Sequence, residues 1–125
     1  MTRLTCHCGA VEVQFTPNEP LTNARRCDCS FCVRRGAAVV FVNAGDLMVT
    51  KGADRLTLYQ WGTFQEEHYF CTTCGIYTHH QHADATKGYA VNLAAIDGII
   101  PRNFDPIPWI DGINYTPANF QKNPT

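Results

Sequence analysis

Seven cysteines constrain this chain more than any other feature, because they fall in three tight groups. These are Cys6-His7-Cys8-Gly9, Cys27-Asp28-Cys29-Ser30-Phe31-Cys32 and Cys71-Thr72-Thr73-Cys74-Gly75. An odd number leaves one thiol over in any all-disulfide framework. Cysteines two positions apart would also close strained loops that disulfide geometry tolerates poorly. The first residues, Met1-Thr2-Arg3-Leu4-Thr5, carry no apolar stretch of the secretory type. The longest apolar block, Ala37 to Val42, is far short of a membrane span. We therefore expect a reduced, cytoplasmic chain, with no membrane partner, whose clustered cysteines ligate metal. Zinc is the default ion for all-sulfur ligation.

Two tetrahedral sites need eight ligands, and seven cysteines leave one position unfilled. Which cysteines share an ion follows from their neighbours. Cys8 and Cys74 are each followed by glycine, Gly9 and Gly75, whose freedom to take positive φ turns successive amides toward the thiolates. We expect Cys6, Cys8, Cys71 and Cys74 to form a closed structural zinc site joining segments more than sixty positions apart. Cys27, Cys29 and Cys32 lack such a glycine and a fourth cysteine. Three protein ligands and one open position is the arrangement of a substrate-facing zinc. An ion held by three thiolates is a poor activator of water and suits an incoming thiolate better.

Charge points the same way. The formal charge is −1. Seven thiolates would add seven negative charges and two zinc ions return four positive ones, giving about −4. That excludes a nucleic-acid binder working through bulk electrostatics. Yet Arg25, Arg26, Arg34 and Arg35, four of only ten basic residues, bracket the middle cluster. Of these, Arg26, Arg34 and Arg35 are candidate holders of carboxylates on an acidic thiol, for which glutathione is the common choice. The alternative for the arginines is that they are solvated or neutralise the structural thiolates. Asp28 is the one carboxylate inside the cluster, and capping a turn is its blander role.

Several alternatives stay open. A histidine could close the second site, with His68, His79, His80 and His82 available. On a strand through Tyr77 to His82, His80 and His82 share one face and His79 takes the other. His7, between two ligands, is expected to point away from the metal. The aromatic residues from Trp61 to Tyr69 read as core.

Periodicity reads mostly as strand. Val11, Val13 and Phe15 alternate with Glu12 and Gln14. Ala37 to Val42 reads as a strand buried on both faces, and Leu56 and Leu58 alternate with Thr57 and Tyr59. Further strands are expected over Glu66 to Phe70 and Tyr89 to Leu93, separated by turn signals such as Asn43-Ala44-Gly45-Asp46 and Asp97-Gly98. One short helix is expected, capped by Ser30 and running to Arg34 or Arg35. At 125 residues we expect a single domain over 1–125, with an irregular tail from about residue 101. That tail should be anchored by Phe104, Trp109, Tyr115 or Phe120.

The ordered set C-x-C-G, C-x-C-x-x-C, C-x-x-C-G, with an arginine pair soon after the middle group, resembles the glutathione-dependent formaldehyde-activating enzyme family. That family also includes the centromere protein V type domain. The similarity spans roughly Leu4 to Gly112, all seven cysteines fall in register, and Phe70 to Gln81 also looks like the short bacterial members. The resemblance implies a mainly β fold of the Mss-four-like type, with small antiparallel sheets around structural zinc. It implies the same division of cysteines, four structural and three around a substrate-facing zinc with a catalytic role. It further implies a zinc-dependent carbon–sulfur lyase acting on glutathione adducts of a small aldehyde, of the S-hydroxymethylglutathione type. The alternative from another class is a non-catalytic zinc module that binds a protein partner or a thiol.

Overall fold

The computed structural model describes residues 1–113. Its regular structure is mainly β: ten strands and one short α-helix among the described residues. Strands β1 (Thr2–Thr5), β2 (Glu12–Phe15) and β5 (Leu47–Lys51) form a three-stranded antiparallel sheet in the order β1-β2-β5. The second sheet is built from β3 (Arg25–Cys27), β4 (Ala38–Val42), β6 (Leu56–Tyr59), β7 (Glu67–Cys71), β8 (Tyr77–Gln81), β9 (Tyr89–Asn92) and β10 (Trp109–Ile110). Its order is β10-β3-β4-β9-β8-β7-β6, antiparallel throughout except where β10 runs parallel to β3.

Alternation on β2 buries Val13 and Phe15 while Glu12 and Gln14 remain partly exposed, as a half-buried strand requires. With Leu4, Val11, Val40, Val42, Val91 and Leu93 they form the main core between the sheets. β4 is buried at Ala38, Val39, Val40 and Val42, as its unbroken apolar run predicts. A smaller cluster of Val39, Tyr77 and Ala90 lies apart from this core, and Ala37 and Phe41 pack against it. This cluster underlies the second cysteine group.

The helix α1 spans Ser30–Arg35, but its cap is Cys29 rather than Ser30. The Cys29 sulfur accepts from the Cys32 amide at 3.2 Å, the role a serine oxygen usually fills. Gly36 ends the helix in the left-handed conformation, its amide donating to the Cys32 carbonyl. Strands β1, β3, β5 and β10 were not signalled by the sequence pattern. Each is short; β5 and β10 owe their places to partners distant in sequence, whereas β1 and β3 pair with the next strand without an alternation that marks them. Within the stretch from residue 101, Pro101–Phe104 forms a 3-10 turn, Phe104 packs on the core and Ile107 is buried. Trp109 is 56% exposed, so it does not anchor the segment by burial. Tyr115 and Phe120 lie outside the described residues. Of the aromatic run expected as core, Trp61 is buried but Phe64 is 64% exposed.

A bulge between β7 and β8 has consequences for the site. Phe70 pairs with Tyr77 and Tyr69 with His79, so Thr78 is the extra residue. Positions three apart on a regular strand face opposite ways. The bulge instead lets the Tyr77 hydroxyl reach His80 Nδ1, at 2.7 Å. His79 takes the opposite face, as strand parity demands. It is buried, stacked on Tyr69 at 4.9 Å between ring centroids, and bonded through Nδ1 to the Thr78 hydroxyl at 2.8 Å. Burial holds its pKa down to about 4, against an ordinary 6.5. The unfolded chain therefore binds a proton that the folded chain refuses. Stability from this group is complete above pH 6.5 and is lost as pH falls toward 4, by up to about 3 kcal/mol. Urea titrations of wild type and His79→Gln at several pH values should diverge across that window. Subtracting the two curves removes the separate effect of acid on thiolate–metal bonds.

Candidate metal centres

The structure brings the cysteines together as four and three. Ligand atoms of Cys6, Cys8, Cys71 and Cys74 all lie within 4.8 Å of one another, as do those of Cys27, Cys29 and Cys32. No histidine or carboxylate joins either group among the described residues. His7 is exposed and takes no part in the first group.

In the first group, Cys6 and Cys8 flank the turn after β1, and Cys71 ends β7 with Cys74 in the following turn. Gly9 and Gly75 have φ of 79° and 77°, the left-handed values that the turns require. The Gly9 amide bonds the Cys6 carbonyl and the Gly75 amide the Cys71 carbonyl. The Val11 amide then donates to Cys6 Sγ at 3.3 Å. Amides of Cys8 and Ile76 hold the Cys74 thiol down to about 6, and amides of Cys74 and Thr73 lower that of Cys71. Sγ atoms of Cys6 and Cys8 are 3.7 Å apart, as are those of Cys8 and Cys71. Four sulfurs at about 2.3 Å from a tetrahedral zinc stand about 3.8 Å from one another. Donor chemistry and spacing both fit a zinc ion.

The second group straddles a strand-to-helix junction. Cys27 ends β3, Cys29 caps α1, and Cys32 lies one turn into it. Cys29 is the member held as thiolate. Hydrogen bonds from Cys27 and Cys32 draw its pKa down, with help from the amides of Cys32 and Phe31, and both neighbouring thiols are pushed up in return. Three sulfurs so placed fit a soft cation with a fourth position left to another ligand.

These sulfurs open on a cavity of about 230 Å³. Another wall is one face of the large sheet: Val39 and Phe41 from β4, His80 from β8 with His82 just past its end, and Glu66 and His68 from β7 and its approach. Parity explains the set, since Glu66 and His68 are two apart, as are His80 and His82, and β7 pairs His68 with His80. The remaining wall comes from the C-terminal stretch. Gly112 lies so close that a Cβ there would stand 2.4 Å from Cys27 Sγ.

Of the arginines singled out, only Arg35 lines the cavity. Its guanidinium sits 3.6 Å from the Tyr77 ring centroid and 4.6 Å from that of Phe31. It donates to Cys32 Sγ at 3.5 Å and to His68 Nδ1 at 3.3 Å. Arg34 bonds the Ser30 carbonyl along the helix, Arg26 reaches the Gly36 carbonyl, and Arg25 bonds the Asn23 carbonyl. Adjacent positions on a helix differ by about 100°, and Arg34 instead borders a separate surface depression with Tyr59 and Phe70.

Asp28 neither caps its own turn nor faces the cavity as a free carboxylate. Its Oδ1 accepts from the amides of Gly112 at 2.7 Å and Ile113 at 3.2 Å. Together with the β10–β3 pairing it fastens the stretch from Trp109 to Ile113 beside the cysteines. Asp28→Ala removes a charged acceptor worth about 1.5–3 kcal/mol. Hydrogen exchange at the Gly112 and Ile113 amides should then quicken by about tenfold or more. Unchanged exchange would show that strand pairing alone secures this segment.

The family model for glutathione-dependent formaldehyde-activating enzymes matches residues 1–110. The chain belongs to that family. Among its relatives, a Halomonas elongata protein named "Putative glutathione-dependent formaldehyde-activating enzyme" is 32% identical over 78 residues. The match covers 56% of this chain and 49% of the Halomonas protein, so it spans about half of that relative. A crystal structure of a Rhodobacter sphaeroides protein, 50% identical, superposes with a TM-score of 0.83 over 86% of this chain and 99% of the other. The family's fold is thus the fold of this chain. Among the described residues no helix is long and apolar enough to cross a membrane.

Proposed function

We propose that this chain is a zinc-dependent carbon–sulfur lyase that forms or cleaves the glutathione adduct of a small aldehyde, with formaldehyde the first candidate. One observation carries the reading: three cysteine sulfurs, with no fourth protein ligand beside them among the described residues, border a cavity. Zinc bound by Cys27, Cys29 and Cys32 would offer a fourth position to an incoming thiolate and lower that thiol's pKa. The other four cysteines would hold a second, structural zinc. Membership of a family named for glutathione and formaldehyde supports the choice of thiol and aldehyde.

The chain's own residues supply the rest. Arg35 sets a fixed positive charge against Cys32 Sγ and offsets part of the charge of three thiolates. Val39 and Phe41 provide an apolar wall, and Gly112 closes another side, so that the reacting atoms are kept from bulk water. Drug-sized ligands occupy pockets of roughly 300–1,000 Å³. At about 230 Å³ the cavity suits the sulfur end of a tripeptide and a one- or two-carbon aldehyde, with the remainder of the thiol outside. Arg34, exposed on α1 next to the Arg35 that enters the cavity, is the candidate contact for those carboxylates.

The test combines calorimetry with exchange NMR on the zinc-loaded chain. Glutathione should bind, and exchange between free formaldehyde and S-hydroxymethylglutathione should quicken relative to buffer. An absence of binding by any thiol would defeat this reading.

A further inference from the structure

Forming a carbon–sulfur bond to an aldehyde leaves negative charge on the carbonyl oxygen, and cleaving the adduct requires removal of its hydroxyl proton. Some group in the cavity must therefore meet that oxygen. Asp28 is committed to two backbone amides. His80 is engaged through Nδ1 with the Tyr77 hydroxyl, and His82 Nδ1 accepts from the Asp84 amide. Asp111 already has a partner.

His68 differs. It is 3% exposed, and its Nε2 is a buried polar atom with no hydrogen-bond partner. Its other nitrogen settles its tautomer. A guanidinium can only donate, so the contact from Arg35 to Nδ1 makes Nδ1 the acceptor and leaves the proton on Nε2. A buried N–H donor without an acceptor costs free energy in the resting protein. Such a cost is sustained where a ligand supplies the missing partner. The nearest carboxylate, Glu66 Oε1, stands 3.7 Å from Nε2, too far for a hydrogen bond yet close enough to share a ligand atom. The same Arg35 guanidinium that touches His68 also touches Cys32 Sγ, so imidazole and thiolate cluster are separated by one side chain.

We propose that Glu66 and His68 form a site for the aldehyde oxygen opposite the three cysteines: His68 donates its Nε2–H to that oxygen and Glu66 carries its proton. The inference rests on the lyase reading above and assigns the half of the reaction that the cysteines cannot perform. In the forming direction the incoming thiol, its proton released to solvent on binding, bonds through its thiolate sulfur to the carbonyl carbon. The π pair moves onto oxygen, and the Glu66 carboxyl delivers the proton that completes the hydroxyl and is left as carboxylate. In the cleaving direction the Glu66 carboxylate takes the hydroxyl proton, the C=O bond re-forms, and the C–S pair leaves with sulfur as thiolate. His68 donates its Nε2–H to the oxygen in both directions, stabilising charge there. Charged and titratable groups facing it are Arg35 from α1, His80 from β8 and Glu66 from the approach to β7. Arg35 is also the positioning residue that fixes the tautomer.

Two measurements test the proposal. Nitrogen-15 shifts of the histidine rings in the zinc-loaded chain should show His68 as the Nε2–H tautomer; the Nδ1–H tautomer would overturn the assignment. In exchange NMR, His68→Asn keeps an acceptor for Arg35 but loses the Nε2 donor. It should slow aldehyde exchange about a hundredfold. Glutathione affinity should stay within about threefold and zinc content should be unchanged. Glu66→Gln, at a partly exposed position, should slow exchange comparably and carries the test should the buried variant fail to fold. Wild-type acceleration that neither variant reduces by more than about threefold would overturn this inference alone. A wild type that neither binds thiol nor speeds exchange would overturn the lyase reading and this inference together.

Discussion

Cys74→Ser is expected to abolish folding. The sulfur it removes belongs to the group that ties the turn after β1 to the turn between β7 and β8, more than sixty positions away. Structural zinc contributes on the order of 10–16 kcal/mol in small zinc-dependent peptides. A domain of ordinary stability has about 5–15 kcal/mol in total. Losing most of the first term cannot be absorbed by the second. Proton NMR of Cys74→Ser should show collapsed amide dispersion, and wild type stripped by a strong chelator should show the same. A folded variant whose Tm has fallen by only a few degrees would mean that the sheets hold together without this ion.

Cys29→Ser is expected to do the reverse, keeping the fold and losing function. Cys29 is both a sulfur of the second group and the cap of α1. Serine is a good helix cap, so the Cys32 amide keeps an acceptor and the helix keeps its start. What disappears is one of three thiolates, and with it the tight binding of a thiophilic ion. The variant should be found to contain one zinc and wild type two. Its Tm should stay within about 5 °C of wild type, and glutathione binding should weaken by about a hundredfold or more. Mild chelation of wild type should likewise remove one ion without unfolding. Equal destabilisation by Cys29→Ser and Cys74→Ser would refute the division between the two groups.

The four-and-three partition was legible because it is local chemistry. Gly9 and Gly75 announce turns whose amides face sulfur, and the middle group has no such glycine. The helix was legible in extent but not in its cap, since serine is the residue that usually fills the role Cys29 takes here. Strand parity separated His79 from His80 and His82 correctly. Parity could not say which strand lies alongside, so the pairing of His68 with His80, and Glu66 beside them, emerged only from the fold. The arginines show the same limit. Charge near the cluster was visible, but the phase of α1 against the sheet decides that Arg35 rather than Arg34 enters the cavity. Strand β10 was hidden by its length and by Pro106 and Pro108 just before it, and its parallel partner lies more than eighty residues away.

The stretch shared with the family ends at residue 110, and the backbone that lies across Cys27 and is gripped by Asp28 begins just after it, at Gly112. Scaffold and ligands therefore sit inside the common stretch, whereas one wall of the chamber sits outside it. A change in that wall would alter what passes it while leaving both cysteine groups and the sheet face intact. Substrate preference is then best sought by varying the segment after residue 110 rather than by altering the cysteines.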